Sequence, residues 1–325
     1  MGFQKHICFV LAAFWIVQSP VVASSLEVPS EFESIAAAMA AAQDGDIIEI
    51  AAGTYYESGL FPTTPNLTFR GATNADGSPA VILDGQGIAD ILLAIGAVDA
   101  SGTTVENIVF KGSLGNALWI YHYGPMIRNC HFTNNVGEWI GTAVWARSDE
   151  AVFESCRFTG NDAGVNGNIV NVKGITGGFR GESVGGPIFR DCLFEDNAAN
   201  GTVALQFMNA SFEQCTFRNN TGTATLHSLS GTSTVLDSLF CENEINEITG
   251  NWVDDGGNDF QDVCPSECAG DLNGDLQVDT ADFSIFLVQF GQSGAGFEAD
   301  LDQDMDVDVS DFSLFLISFG SGCGS

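Results

Sequence analysis

Between residues 105 and 243 the apolar and polar positions repeat a single phrase, Ile127-Arg-Asn-Cys130-His-Phe132-Thr-Asn-Asn135. It returns as Phe153-Glu-Ser-Cys156-Arg-Phe158-Thr-Gly-Asn161, as Phe189-Arg-Asp-Cys192-Leu-Phe194-Glu-Asp-Asn197 and as Phe212-Glu-Gln-Cys215-Thr-Phe217-Arg-Asn-Asn220. Val235-Leu-Asp-Ser238-Leu-Phe240-Cys-Glu-Asn243 has Ser in the Cys place, and Val105-Glu-Asn-Ile108-Val-Phe110 is an earlier, imperfect copy. The steps from Cys130 to Cys156, Cys192, Cys215 and Ser238 are 26, 36, 23 and 23 residues. Such steps are too short for independent domains and suit one turn of a solenoid. Alternation puts Cys and Phe on one face of a strand. A further strand precedes each copy: Leu118-Trp-Ile120, Val144-Trp-Ala146, Val170-Asn-Val172, Val203-Ala-Leu205 and Ala224-Thr-Leu226. Turn residues separate the strands, and no helical period runs between them.

Coils about 4.8 Å apart would set like residues in columns, Cys on Cys, Phe on Phe and Asn on Asn. The Asn suits a tight turn, and an Asn column can pass amide hydrogen bonds along the axis. Four thiols in a buried column pack as small hydrophobes, which makes them structural, reduced and unsuited to catalysis. A solenoid also needs its open end covered. Here Ser30-Glu-Phe-Glu33 reads as a capping box ahead of an Ala-rich helix from Ile35 to Ala42. The strand Ile47-Ile-Glu-Ile50 and the segment Gly53-Thr-Tyr-Tyr-Glu57 follow.

This opening resembles that of pectin-lyase-like β-helix proteins, and the Cys-x-Phe-x-x-Asn units look like the generic repeats of that superfamily. The resemblance covers about residues 28–250. It implies an all-β, right-handed parallel β-helix with an N-terminal helical cap, and it names no activity.

The C-terminal region carries a second repeat. Asp271-Leu-Asn273-Gly-Asp275-Leu276-Gln277-Val-Asp279-Thr-Ala-Asp282 recurs 29 residues later as Asp300-Leu-Asp302-Gln-Asp304-Met305-Asp306-Val-Asp308-Val-Ser-Asp311. Both run into Asp-Phe-Ser-x-Phe-Leu-x-x-Phe-Gly. Calcium takes six to eight oxygens, and EF-hand-type loops supply them from positions 1, 3, 5, 7, 9 and 12. The spacing therefore predicts Ca²⁺ held by Asp271, Asn273, Asp275, Asp279 and Asp282 with the Gln277 carbonyl. A second ion would take Asp300, Asp302, Asp304, Asp308 and Asp311 with the Asp306 carbonyl. Without metal, these carboxylates repel one another at short range. The segment 269–320 resembles a type I dockerin, which implies a small α-helical module and a cohesin-like protein partner. Position 6, usually Gly, is Leu276 or Met305: either a non-Gly residue goes left-handed or the loop is reshaped. The pairs at positions 10 and 11, Thr280-Ala281 and Val309-Ser310, match the dockerin Ser/Thr pattern only partly. Cys323 is placed to clasp Cys264 or Cys268, with Cys241 open to the remaining one.

Charge sharpens this picture. The net charge is −32 with ten Lys and Arg, none beyond Arg218, so nucleic acid is excluded as a partner. Lys5 and His6 precede the apolar run Ile7–Val17, and Val21-Val22-Ala23 offers small residues for cleavage, as in a secretory signal. That run is too short to span a bilayer, so no membrane span is expected in the mature chain. The expected organisation is signal peptide 1–23, β-helix 24–262 and calcium module 263–325, in a secreted protein.

On the strand before each repeat, the outward positions are Trp119 and Tyr121, Trp145 and Arg147, Asn171 and Lys173, Gln206, then Thr225 and His227. Outward aromatic faces suit sugar rings. Arg147 and Lys173, one coil apart, would lie side by side in a chain poor in cations. In pectin-lyase-like lyases this sheet carries the substrate groove. The resemblance therefore implies Lys173 as the base that removes the proton α to a uronate carboxyl, with Arg147 neutralising that carboxyl. A neighbouring guanidinium favours the neutral amine such a base needs. The Gly174–Gly186 insertion, bearing Arg180, would wall the groove. Two functions stay open: a β-helix that binds polysaccharide without catalysis, and a lyase acting on uronate-containing glycans. The alternative use of Arg147 and Lys173 is ion pairing with Asp149, Glu150 or Glu182.

Overall fold

The computed structural model describes residues 23–320 apart from 97, 100, 138–139, 149, 174–185, 207, 244–246, 263, 265–269, 273–277, 295–296 and 303. The chain winds as a parallel β-solenoid whose coils carry three strips of strand. The first strip runs through Ser25–Val28, Ile47–Ile50, Thr68–Gly71, Thr104–Glu106, Met126–Arg128, Val152–Glu154, Ile188–Arg190 and Ala210–Glu213, each hydrogen-bonded to the next. The second includes His131–Thr133, Arg157–Thr159, Leu193–Glu195, Thr216–Arg218, Leu239–Cys241 and Asp259–Gln261. The third uses the ends of the longer strands Ile108–Tyr121, Ile140–Arg147, Asp162–Lys173, Ala198–Gln206 and part of Thr221–Leu236.

Like residues do superimpose. Phe110, Phe132, Phe158, Phe194, Phe217, Phe240 and Phe260 form one file with ring centroids 4.6–5.0 Å apart and nearly parallel rings. Cys130, Cys156, Cys192 and Cys215 are all buried and unpaired, each thiol directed at a carbonyl of the preceding coil. Burial pushes the Cys130 and Cys192 thiols well above the ordinary range, as expected for inert packing groups. In the asparagine file each amide donates to the next: Asn135 to Asn161, Asn197, Asn220 and Asn243, at 2.9–3.0 Å. Asn243 in turn donates to the Glu247 carboxylate at 3.0 Å.

The left-handed corner is not the ladder Asn itself, as the sequence suggests, but the residue before it: Asn134, Gly160, Asp196, Asn219 and Glu242, with φ between 49° and 62°. A second corner precedes the Cys file, at Asn129, Ser155, Asp191, Gln214 and Asp237. The ladder Asn points inward because its amide is needed there, and the bend passes to its neighbour.

Helix α1 (Ile35–Ala41) caps the N-terminal end, but not through the box at Ser30–Glu33. Ser34 is the N-cap, its hydroxyl accepting from the Ala37 N–H. The next free donors, Ile35 N–H and Ala36 N–H, are met at 2.8 and 2.9 Å by Glu57, 22 and 21 residues away. The acid that completes this helix end comes from another coil.

Along the outside of the first strip the charges alternate in register: Glu49, Arg70, Glu106, Arg128, Glu154, Arg190, Glu213. Ion pairs join Arg70 to Glu49 and Glu106, Arg128 to Glu106 and Glu154, and Arg190 to Glu213. Singly such exposed pairs contribute little; as a network they set register and discourage slippage.

His131 lies on the outer side of the second strip beside Arg157. Burial first and the Arg157 charge second lower its pKa from 6.5 to about 4. The fold accepts the neutral ring, whereas the unfolded chain protonates near the ordinary value. Stability is therefore intact above pH 6.5 and declines as pH falls toward 4. His131→Leu copies Leu193 and Leu239 in the same column. It is expected to flatten this decline in urea unfolding midpoints, and parallel curves for variant and wild type would refute the assignment.

In the C-terminal region, α2 (Thr280–Gln289) and α3 (Val309–Ser318) start from matching capping boxes, Asp279 with Asp282 and Asp308 with Asp311. Val278, Phe286, Ala299, Val307 and Phe315 form the core. The two halves exchange equivalent hydrogen bonds: Gly291 N–H donates to the Val307 carbonyl and Gly320 N–H to the Val278 carbonyl, both at 2.7 Å. Each half completes the other. Among the described residues, a disulfide joins Cys241 to Cys264. That takes Cys264 away from Cys323, and Cys268 and Cys323 lie outside the described residues.

Candidate functional site

The third strip brings five of the predicted residues together. Trp145 is hydrogen-bonded in register between Trp119 and Asn171, and Arg147 lies beside Tyr121. Arg147 and Lys173 follow directly on the paired Ala146 and Val172, so they occupy equivalent places in adjacent coils. Trp119, Tyr121, Trp145, Arg147 and Lys173 are half-buried. The two indoles meet edge to face, 5.5 Å apart at 61°, rather than stacking. Ring quadrupoles favour that arrangement over a flat sandwich. The flat pair is Tyr121 and Trp145, 6.3 Å apart at 11°. The Arg147 guanidinium lies 5.3 Å from the Tyr121 ring centre and donates to its hydroxyl at 3.3 Å. Among the described residues, neither Arg147 nor Lys173 forms an ion pair.

Other predicted residues sit differently. Asn171 is fully buried, and its amide donates to the Asn168 side-chain oxygen at 3.4 Å. His227 is half-buried beside Ala204 and Thr249, two coils beyond Asn171, and so lies apart from the aromatic group. Thr225, expected to face outward, is buried and donates to Glu247 at 3.4 Å. Burial raises the Glu247 pKa against the pull of these two donors, Asn243 and Thr225. Arg180 lies outside the described residues. The sequence reading missed Thr202, which is buried on the inner side of this strip, in register between the core residue Ile169 and Thr225. It also missed the exposed apolar tips Ile88, Leu114, Val136 and Val165 in four successive coils on the approach to this strip. The signal for these was present as lone apolar residues among Gly, Asn and Asp.

In the second C-terminal loop, one carboxylate oxygen each from Asp300, Asp302 and Asp304 lie within 4.8 Å of one another, and the same holds for Asp306, Asp308 and Asp311. Asp311 is fully buried and accepts from the N–H groups of Leu301, Asp302 and Asp308. Asp282 accepts from Leu272 and Asp279 in the same way. Burial chiefly, with the charges of Asp311, Asp304 and Asp300, raises the Asp302 pKa. The Asp304 charge leads the upward shift of Asp306, whose Oδ1 is buried without a partner. So Asp306 brings a carboxylate to the cluster, where the spacing had assigned only its carbonyl. Met305 adopts φ 77°, the left-handed alternative. An all-oxygen, mutually repelling donor set with an orphaned oxygen fits a hard divalent cation. Of the first loop, Asp271, Asp279 and Asp282 are described, while Asn273, Asp275 and Gln277 lie outside the described residues.

Residues 92–261 match the family described as the right handed beta helix region, more than half of the chain. The chain belongs to this right-handed β-helix family. Among solved structures the β-helix is similar to pectin methylesterase from Aspergillus niger, at 14% identity and TM-score 0.41, over 76% of this chain and 91% of that one. It is similar to pectin methylesterase from carrot at 12% identity and TM-score 0.36, over 78% and 91%. A variant of the PL6 family alginate lyase AlyGC matches at 16% identity and TM-score 0.40, over 74% of this chain and 38% of the lyase. No curated protein matches the chain. Among the described residues, no helix is long and apolar enough to cross a membrane.

Proposed function

We propose that this β-helix is a secreted protein that binds an acidic polysaccharide along its third strip and is tethered through a calcium-loaded, dockerin-like module. The observation that carries the reading is the Trp119, Tyr121, Trp145 and Arg147 group with Lys173 in the adjacent coil. Aromatic faces take sugar rings, and two cations without ion pairs among the described residues take carboxylates. The tether draws on the duplicated acidic loops and on a duplicated apolar surface. Leu287, Val288 and Phe290 are exposed, as are their counterparts Leu316, Ile317 and Phe319. Such a surface suits a protein partner of the cohesin type.

Calorimetry with polygalacturonate and alginate tests the first part. Trp145→Ala is expected to weaken binding at least about tenfold through lost ring contact, and unchanged affinity would remove the groove reading. The second reading, a lyase, rests on the placement of Lys173 next to Arg147. It predicts release of unsaturated uronate, followed by its ultraviolet absorbance, in wild type but not in Lys173→Ala. Equal release from both would discard Lys173 as base.

A further inference from the structure

Among the described residues of the solenoid, left-handed backbone outside glycine falls on Asn, Asp, Gln, Ser and Glu, with the one exception of His122 at φ 78°. The bend is local to its coil. Ser148, the equivalent place one coil on, does not share it. The corner is tied by the His122 N–H, which donates to the Arg147 carbonyl at 2.9 Å. A side chain is disfavoured in left-handed backbone, and such conformations persist where a site makes use of them. The use lies in where the ring goes. In a continuing strand, residues 121 and 122 would point to opposite faces. The bend instead sets the His122 imidazole against the Tyr121 ring, with centroids 3.8 Å apart at 68°. Tyr121 is the hub of the groove. It stacks with Trp145, meets Trp119 at 6.2 Å, and takes the Arg147 guanidinium on its ring and hydroxyl. His122 itself stays exposed. Asn or Gly would make the same bend at less cost, so the strained corner serves to place an imidazole beside the aromatic group.

We infer that His122 is a sugar-binding residue of this groove, its ring nitrogens bonding a hydroxyl of the uronate whose carboxylate lies at Arg147. A neutral imidazole offers one donor and one acceptor, which suits a hydroxyl that both gives and takes a hydrogen bond. The inference rests on the groove reading and adds to it a residue outside the alternation of the strand. It also adds a polar contact that fixes where the bound uronate sits, at the Tyr121 end of the aromatic group.

The test compares His122→Gly, His122→Phe and Trp145→Ala with wild type by calorimetry on polygalacturonate and alginate, and records each unfolding midpoint. His122→Gly removes the left-handed cost together with the ring, so its midpoint should hold or rise while affinity falls about tenfold. His122→Phe keeps a ring against Tyr121 but lacks the nitrogens, and it should lose affinity to the same extent. The ring-proton resonances of His122, identified by their loss in His122→Phe, should shift when trigalacturonate is added to wild type. If Trp145→Ala weakens binding while His122→Phe does not, the nitrogens are not ligands, and the assignment is wrong although the groove stands. A His122→Gly variant with a higher midpoint and unchanged affinity would make the bend purely structural, which also overturns it, as would resonances that stay fixed while the sugar binds. If Trp145→Ala leaves affinity intact, or wild type binds neither uronan, the groove and the role of His122 fall together.

Discussion

Asn161→Ala is expected to lower the stability of the solenoid by about 3–5 kcal/mol. The side chain is fully buried. Its oxygen accepts from the Asn135 N–H at 3.1 Å and the Asn135 amide at 3.0 Å; its own amide donates to the Phe132 carbonyl at 2.9 Å and to Asn197 at 3.0 Å. Truncation leaves donors and acceptors of two neighbouring coils unpaired in the interior, and that desolvation cost exceeds the net value of the bonds themselves. Asn161→Asp keeps the shape but sets a carboxylate against the Phe132 carbonyl and the Asn197 oxygen, so it should destabilise more at neutral pH than in acid. Urea unfolding followed by circular dichroism reads both. A loss below about 1 kcal/mol for the alanine variant would mean that the file is ornamental and that backbone pairing alone fixes the coils.

Chelation is expected to unfold the C-terminal module while the solenoid persists, because the small core around Val278, Phe286, Ala299, Val307 and Phe315 cannot hold two loops of repelling carboxylates without a counter-charge. Calorimetry should show two calcium-binding events, both lost in the double variant Asp282→Ala with Asp311→Ala. These two carboxylates organise their loops through backbone N–H groups and would supply ligand oxygens to the ions. Protons compete for the same oxygens, and the raised pKa values of Asp302 and Asp306 make affinity fall earlier on acidification than ordinary carboxylates would. Retention of both events in the double variant would place the ions elsewhere.

The columns of the solenoid were legible because Cys-x-Phe-x-x-Asn repeats a residue type as well as a pattern, and only stacking demands that. The Arg and Glu alternation was equally present two places before each Cys, at Arg128, Glu154, Arg190 and Glu213. It went unread because charge was weighed as a total instead of by position in the repeat. Other features had no local signal. Glu57 meets helix α1 from another coil, so a search for a cap within four residues settles on the wrong acid. The Cys241–Cys264 bond depends on where the last coils end. At the groove, alternation misses the place where it breaks: Asn168 and Asn171 meet on one face, so the column of Ile169, Thr202 and Thr225 turns inward.

The file of side-chain amides has a sense of travel. From Asn135 onward every one hands its hydrogen forward, and Glu247 receives the last without passing one on. A carboxylate is therefore a terminator in this grammar. A lengthened descendant of this protein would have to splice new turns upstream of Glu247, since an Asn placed after it would meet no offered hydrogen.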